Sequence, residues 1–447
     1  MFTNTGSEPI RISTHSAQRH VLALIVLLAV LFTTITTPSG NALGMDVNSN
    51  RWAQFRGPGG QGRALSRNVP VQWSESETGA AENIAWKVAV PGEGHSSPVV
   101  LDNQIWMTTA LDDGKSLRAL CFDLRDGKLL HNREVFTPAE PVTKAARNSF
   151  ATPTPVIEPG RVYVHFGTMG TACLATDSGN TLWENRQFKI DHETGPAASP
   201  ILLNNLFIVN FDGMNEQFVV ALNKQDGTIA WKTDRSAPYR DDPVLRRAFS
   251  VPVVVDDEGQ FQLVSVGADQ THAYNPLTGE EIWHVTYAGT SNIPHPLYGD
   301  GLVYIVTGFR SPELWAIRID GHGDVTKTHV EWQYKQSVPT IPSPILVEEK
   351  IFMVNDEGIC CSVHSKTGKR LWRSRLGGNF SASPVFVGGH VYFPSEEGNV
   401  TVIEPASIPK TVATNTISGR IMATPAIVDG ALLIRTDQHL YRIENAE

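Results

Sequence analysis

Four arrangements in this sequence have residue types and spacings that could carry chemistry. Cys360 and Cys361 are adjacent, so oxidation would close a small disulfide ring. Gly57-Pro58-Gly59-Gly60-Gln61-Gly62 matches the G-x-G-x-x-G pattern that cradles a pyrophosphate. That chemistry needs a strand before the glycines and a helix after them, to aim a helix N-terminus at the phosphate. Neither flank reads that way, and the segment is expected to be a turn-rich lead-in. His192-Glu193 has no second histidine at metalloprotease spacing, and His322 and His329 fall in a polar insertion. All three histidines are expected on surface loops. The remaining cysteines, Cys121 and Cys173, complete neither a haem-attachment Cys-x-x-Cys-His nor a zinc pattern. No catalytic residue and no metal ligand is assigned from these patterns.

The elements that would position such residues are short strands. Runs such as Val162–Val164, Leu206–Val209, Val303–Val306 and Val391–Phe393 alternate with Gly, Pro, Asn and Asp turns along nearly the whole chain. No long stretch of 3.6-residue periodicity competes with them. A small residue followed by proline recurs at Pro98, Pro155, Pro200, Pro252, Pro296, Pro344, Pro384 and Pro425. The mean interval is about 47 residues, which suits a four-stranded propeller blade. A glycine with Trp four places later closes many units: Gly179 and Trp183, Gly227 and Trp231, Gly279 and Trp283, Gly368 and Trp372. The first unit has Gly127 and His131, the fifth carries an insertion between Gly321 and Trp332, and the seventh lacks the pattern. The eighth unit ends one strand short. Asn83–Val88 is expected to supply the missing strand and so close the ring, because an open ring would leave unpaired edges.

These repeats resemble the PQQ-like β-propeller repeat family. The likeness rests on Gly-x-x-x-Trp and on Ala221-Leu-Asn-Lys-Gln-Asp-Gly227, and it covers about residues 83–447. The opening Trp52-Ala53-Gln54-Phe55-Arg56-Gly57-Pro58 looks like the start of secreted bacterial members. The resemblance implies an all-β, eight-bladed β-propeller of four-stranded blades. It also implies that Trp86, Trp183, Trp231, Trp283, Trp332 and Trp372 dock blade against blade, through the large area an aromatic ring buries. Two kinds of relative bracket the activity: quinoprotein dehydrogenases, and BamB-type assembly proteins that bind partners and catalyse nothing. Some alcohol-oxidising quinoproteins carry an adjacent-cysteine disulfide beside the quinone. Here Cys360 and Cys361 fall inside a strand, two and one places before Ser362, which is the residue level with Cys121 and Cys173, and they are expected to be small core thiols.

In such a propeller the segments before each innermost strand converge around a central channel. They carry Glu93, His95, Arg147, Asn148, Arg246, Arg247, Asn292, His295, Asn379 and Arg420. A mouth of this composition could hold an anionic ligand, and the alternative is that these side chains satisfy buried loop carbonyls or pair with carboxylates. A quinone enzyme would need more: anion-binding groups, a calcium held by carboxylate and amide oxygens, and an Asp base. No calcium set can be assembled from local spacing.

The N-terminus sets the compartment. Basic residues precede Val21–Phe32, an apolar run too short for a span of ~20 residues, and small residues follow it. Residues 1–42 are expected to be a secretory signal, 43–82 a lead-in and 83–447 the propeller. No cysteine follows the run closely enough for a lipid anchor. The net charge of −9 becomes −10 once Glu8, Arg11 and Arg19 leave with the signal, which argues against nucleic acid as a partner. The reading is an exported, periplasmic or envelope scaffold that binds a protein or a polysaccharide without a cofactor. Membrane contact would come only through an uncleaved N-terminal segment. The alternative is an oxidoreductase using PQQ with calcium. A sensor module like those fused to kinases is a third possibility, although the chain has no kinase motif of its own.

Overall fold

A computed structural model of the chain describes residue 6 and residues 51–446, apart from 67, 76–80, 237–238 and 258. The expected signal at 1–42 lies outside the described residues. The remainder is an eight-bladed propeller. Each blade is an antiparallel meander whose innermost strand starts just after one of the repeated prolines: Val99–Leu101, Val156–Glu158, Ile201–Leu203, Val253–Asp257, Leu297–Gly299, Ile345–Val347, Val385–Val387 and Ala426–Val428.

Hydrophobic patterning explains the order of strands within a blade. Second and third strands are covered on both faces by neighbouring blades, so they read as continuous apolar runs. Leu206–Asp212 is buried at every position. Outermost strands alternate, as in Ile229–Asp234, where Trp231 is buried between exposed residues. In the last blade Ile84–Ala89 pairs antiparallel with His439–Ile443, so the ring closes with the N-terminal strand. The insertion of blade five places Gly323–Asp324 parallel to Glu281–Thr286, which gives blade four a fifth strand.

Tryptophan and glycine of the repeat meet across blades rather than within one. Trp183 of blade two covers Gly227 of blade three, and its Nε1–H donates to Lys224 O at 2.8 Å. Trp231 sits in the same way over Gly279 and donates to Pro276 O at 3.1 Å; Trp332 sits over Gly368 and donates to Ser365 O at 2.8 Å. Gly227 has a φ of 72°, and an added Cβ would lie 2.4 Å from the indole, so only glycine fits. Trp283 instead donates to Gln262 Oε1 of its own blade, because the insertion replaces the partner turn. Trp372 packs beside a cluster shared by blades six and seven.

The lead-in is a plug. Arg51–Trp52 pairs with the innermost strand of blade one, and Ala53 O accepts Ile157 N–H of blade two at 2.9 Å. Phe55 packs against blades three and four. Gln61 Oε1 accepts Tyr298 N–H of blade five, and Gly62 O accepts Phe386 N–H of blade seven. Innermost strands have an edge with no neighbouring strand, and the plug satisfies part of it. Arg56 is fully buried and donates to the carbonyls of Gly60, Gln61, Ser343 and Pro344. The glycines of the G-x-G-x-x-G match serve this packing. Gly57 touches Trp52, and Gly62 touches the Arg56 guanidinium.

Candidate functional site

The residue before each repeated proline lines the throat of the channel. In six blades it is a hydroxyl residue: Ser97, Thr154, Ser199, Ser343, Ser383 and Thr424. Thr154 Oγ1 accepts Ser97 N–H at 3.0 Å, and Ser199 Oγ accepts Thr154 N–H at 2.9 Å. On the other side of the ring His295 N–H donates to Ser343 Oγ, Ser343 N–H to Ser383 Oγ and Ser383 N–H to Thr424 Oγ1, at 2.9, 2.9 and 3.0 Å. The hydroxyls of Thr154, Ser199, Ser343, Ser383 and Thr424 thus satisfy the backbone of the blade before them. Val251 has no hydroxyl, and there His295 Nδ1 meets Val251 O at 3.0 Å instead.

Above this ring opens a cavity of about 570 Å³ to which all eight blades contribute. Phe55 of the plug also lines it, so the lead-in supplies a floor side chain. Its upper wall is more apolar than expected: Leu245, Phe249, Ile293, Phe309, Ile341 and Met422 face it. Among the described residues no Asp or Glu lines it.

Of the residues expected at the mouth, His95, Arg147, Asn148 and Arg247 line this cavity, while Glu93, Arg246, Asn292, His295, Asn379 and Arg420 do not. Arg147 reaches from blade two to Glu396 of blade seven at 2.5 Å. Glu396 also accepts from Ser381 at 2.7 Å and Arg420 at 2.8 Å. Burial would raise this carboxyl, but these three donors outweigh it and hold it below the usual carboxylate range. Arg247 pairs with Glu193, and Arg246 with the carbonyls of Arg240 and Asp241. Asn148 is consumed by its own loops: Nδ2 donates to Thr194 O and Pro196 O, and Oδ1 accepts from Ser149 and Thr152. Asn292 is buried and donates to Val306 O, and Asn379 donates to Glu397. Glu93 pairs with Lys144 at 3.3 Å. Burial pushes His95 down to about 4 and His295 to about 3, so both are neutral at pH 7. His295 lies edge-on to Phe55 beneath the cavity.

The histidine reading needs one correction. His322 is exposed, but His192 is buried, with both ring nitrogens unpartnered. Its ring packs against Gly167, where an added Cβ would come within 2.7 Å of Nε2. Cys121, Cys173, Cys360 and Cys361 are all buried and free. Among the described residues no three metal-ligating side chains come together. Sequence reading missed Phe55, Phe309 and Arg310. Phe309 and Arg310 follow a second strand rather than precede a first, and the lead-in carries no repeat signature.

The family model described as outer membrane protein assembly factor BamB matches residues 51–216 and 215–447. The BamB of Burkholderia pseudomallei (strain K96243) is 27% identical over 94 residues, 21% of this chain and 24% of that protein. The chain spans between 24% and 42% of the length of the curated relatives it matches. The crystal structure of BamB from Moraxella catarrhalis superposes with a TM-score of 0.57 at 12% identity, covering 80% of this chain and 99% of that one. A europium-containing methanol dehydrogenase superposes at 0.65 with 10% identity, covering 87% and 89%. At these identities the two superpositions show a shared fold.

Proposed function

We propose that this chain, which belongs to the outer membrane protein assembly factor BamB family, is a scaffold that binds a protein partner in the cell envelope. The observation that carries this reading is the chemistry of the mouth. Its ionisable groups are arginines, two of them already paired with carboxylates, and a neutral histidine. Among the described residues that line the cavity, no nucleophile sits beside a base and no pair of carboxylates faces it. Around that mouth the blades present a rigid surface with Phe309 53% exposed, a suitable anchor for a partner. Export to the periplasm or envelope is part of the same proposal, and so is action without a resident cofactor.

The fold of the methanol dehydrogenase raises quinone chemistry as the rival. Calcium takes about six to eight oxygen ligands, carboxylates prominent among them. Among the described residues no carboxylate lines the cavity, and its side-chain amide, Asn148, is already engaged. The residues therefore do not fit a quinone–calcium pair, and no step is derived through one. The test is a photo-crosslinking amino acid placed at Phe309 in the native envelope, with Leu371 on an outer strand as the control. A discrete protein adduct at Phe309 and none at Leu371 supports the scaffold. Absence of adducts together with quinone-dependent dye reduction by the purified chain refutes it.

A further inference from the structure

We infer that the cavity at the channel mouth is a binding site for a free, single-chain amphiphile carrying one negative charge. This goes beyond the scaffold reading and does not depend on it. The volume of about 570 Å³ lies within the range of small-molecule sites, roughly 300–1,000 Å³. The plug places Phe55 at the base, so the space is a cup that an apolar body can fill. Leu245, Phe249, Phe309 and Met422 offer that body an apolar wall. At the throat, the hydroxyls of Thr154, Ser199, Ser343, Ser383 and Thr424 each already accept one blade-to-blade hydrogen bond.

Charge selects the head group. Three arginines line the cavity. Arg147 shares the carboxylate of Glu396 with Arg420, which does not line the cavity, and Arg247 pairs with Glu193. Arg310 is exposed and, among the described residues, has no carboxylate partner. One cavity-lining cation without a carboxylate partner, at the rim of an apolar cup, matches one anion on an apolar chain. A ligand with several anionic groups would leave the others without partners, and a cationic amphiphile would meet Arg310 as a like charge.

The test is calorimetric titration of the full chain with dodecanoate, dodecyltrimethylammonium and 1-dodecanol, each below its aggregation threshold. Dodecanoate is expected to bind at one saturable site, about tenfold tighter than dodecyltrimethylammonium. Arg310→Ala lies on the exposed rim, and it should erase most of that preference while changing 1-dodecanol binding less than twofold. Ala197→Trp fills the cavity and should abolish binding of all three with the melting transition unchanged. Equal binding of anion and cation, dodecanoate binding that survives Ala197→Trp, or no saturable binding overturns the inference. Binding confined to phosphatidylglycerol vesicles would overturn it as well, since a free single-chain ligand is what is claimed.

Discussion

The indole of Trp86 lies against Gly127, and its Nε1–H donates to Leu124 O at 3.2 Å, so a strand near one end of the described chain locks the last blade to the first. The same contact joins blades two to three, three to four and five to six. Among the described residues, Trp86 is the one of these tryptophans whose strand joins its own blade by pairing with His439–Ile443 and not through a hairpin. Trp86→Ala should therefore lower stability by about 3 kcal/mol, in the range for aromatic truncation. It should also raise amide hydrogen exchange throughout Ile84–Ala89. Trp183→Ala should cost a similar amount in a denaturant melt and leave exchange at Ile84–Ala89 unchanged.

The throat ring predicts a distinct class of destabilised variant. Ser383→Ala removes a hydroxyl of small volume, yet it strands the buried N–H of Ser343, which has Ser383 Oγ as its acceptor at 2.9 Å. An unsatisfied buried donor costs about 1–3 kcal/mol. Ser381→Ala, two residues earlier in the same loop, should cost less because Glu396 keeps Arg147 and Arg420. Chemical denaturation of the two variants side by side checks the difference.

The ring of blades was legible because strands buried on both faces leave apolar runs, and because Gly227 and Trp231 recur at a near-constant interval. The site was legible only in outline. Loop positions before the innermost strands follow from topology, but side-chain directions do not. Asn148 turns into its own loop, and Arg147 crosses to a glutamate 249 residues away in sequence. The plug left no periodic trace at all. Its backbone bonds go to a different blade every few residues, so each contact is unlike the last. The small residue before each proline was visible as a pattern, while its hydroxyl-to-backbone role depends on the neighbouring blade.

Acid should destabilise the protein through its buried histidines. Burial pushes His165 and His295 down to about 3, and His192 and His272 to about 4. Their ordinary value is about 6.5, so below it the unfolded chain binds protons that the folded one refuses. The stabilisation is complete above pH 6.5 and declines as pH falls towards 4. The slope is at most about 1.4 kcal/mol per pH unit for each histidine. His192→Gln should flatten the stability profile in that window without changing it at pH 8. Melts at fixed ionic strength between pH 8 and 4 would show this, and a profile that stays flat contradicts it.

Arg56 should govern the plug. Its guanidinium is buried with no carboxylate beside it, and burial pulls it down to about 9. What holds it is a set of four carbonyls: two from its own loop and two, Ser343 and Pro344, from blade six. Arg56→Ala strands those carbonyls, and Arg56→Lys keeps the charge but loses the planar fork that reaches several acceptors at once. Both variants should release the lead-in, which places Phe55 and lends Gln61 to Tyr298. Limited proteolysis should then cut near residues 59–63, where the wild-type chain resists. The free energy of unfolding should fall by an amount on the order of 3 kcal/mol for Arg56→Ala and somewhat less for Arg56→Lys. A lysine variant as resistant and as stable as wild type would mean that charge alone anchors the plug. Loss of the plug should also remove the floor of the mouth cavity, so the two variants link the stability of the ring to the shape of its binding face.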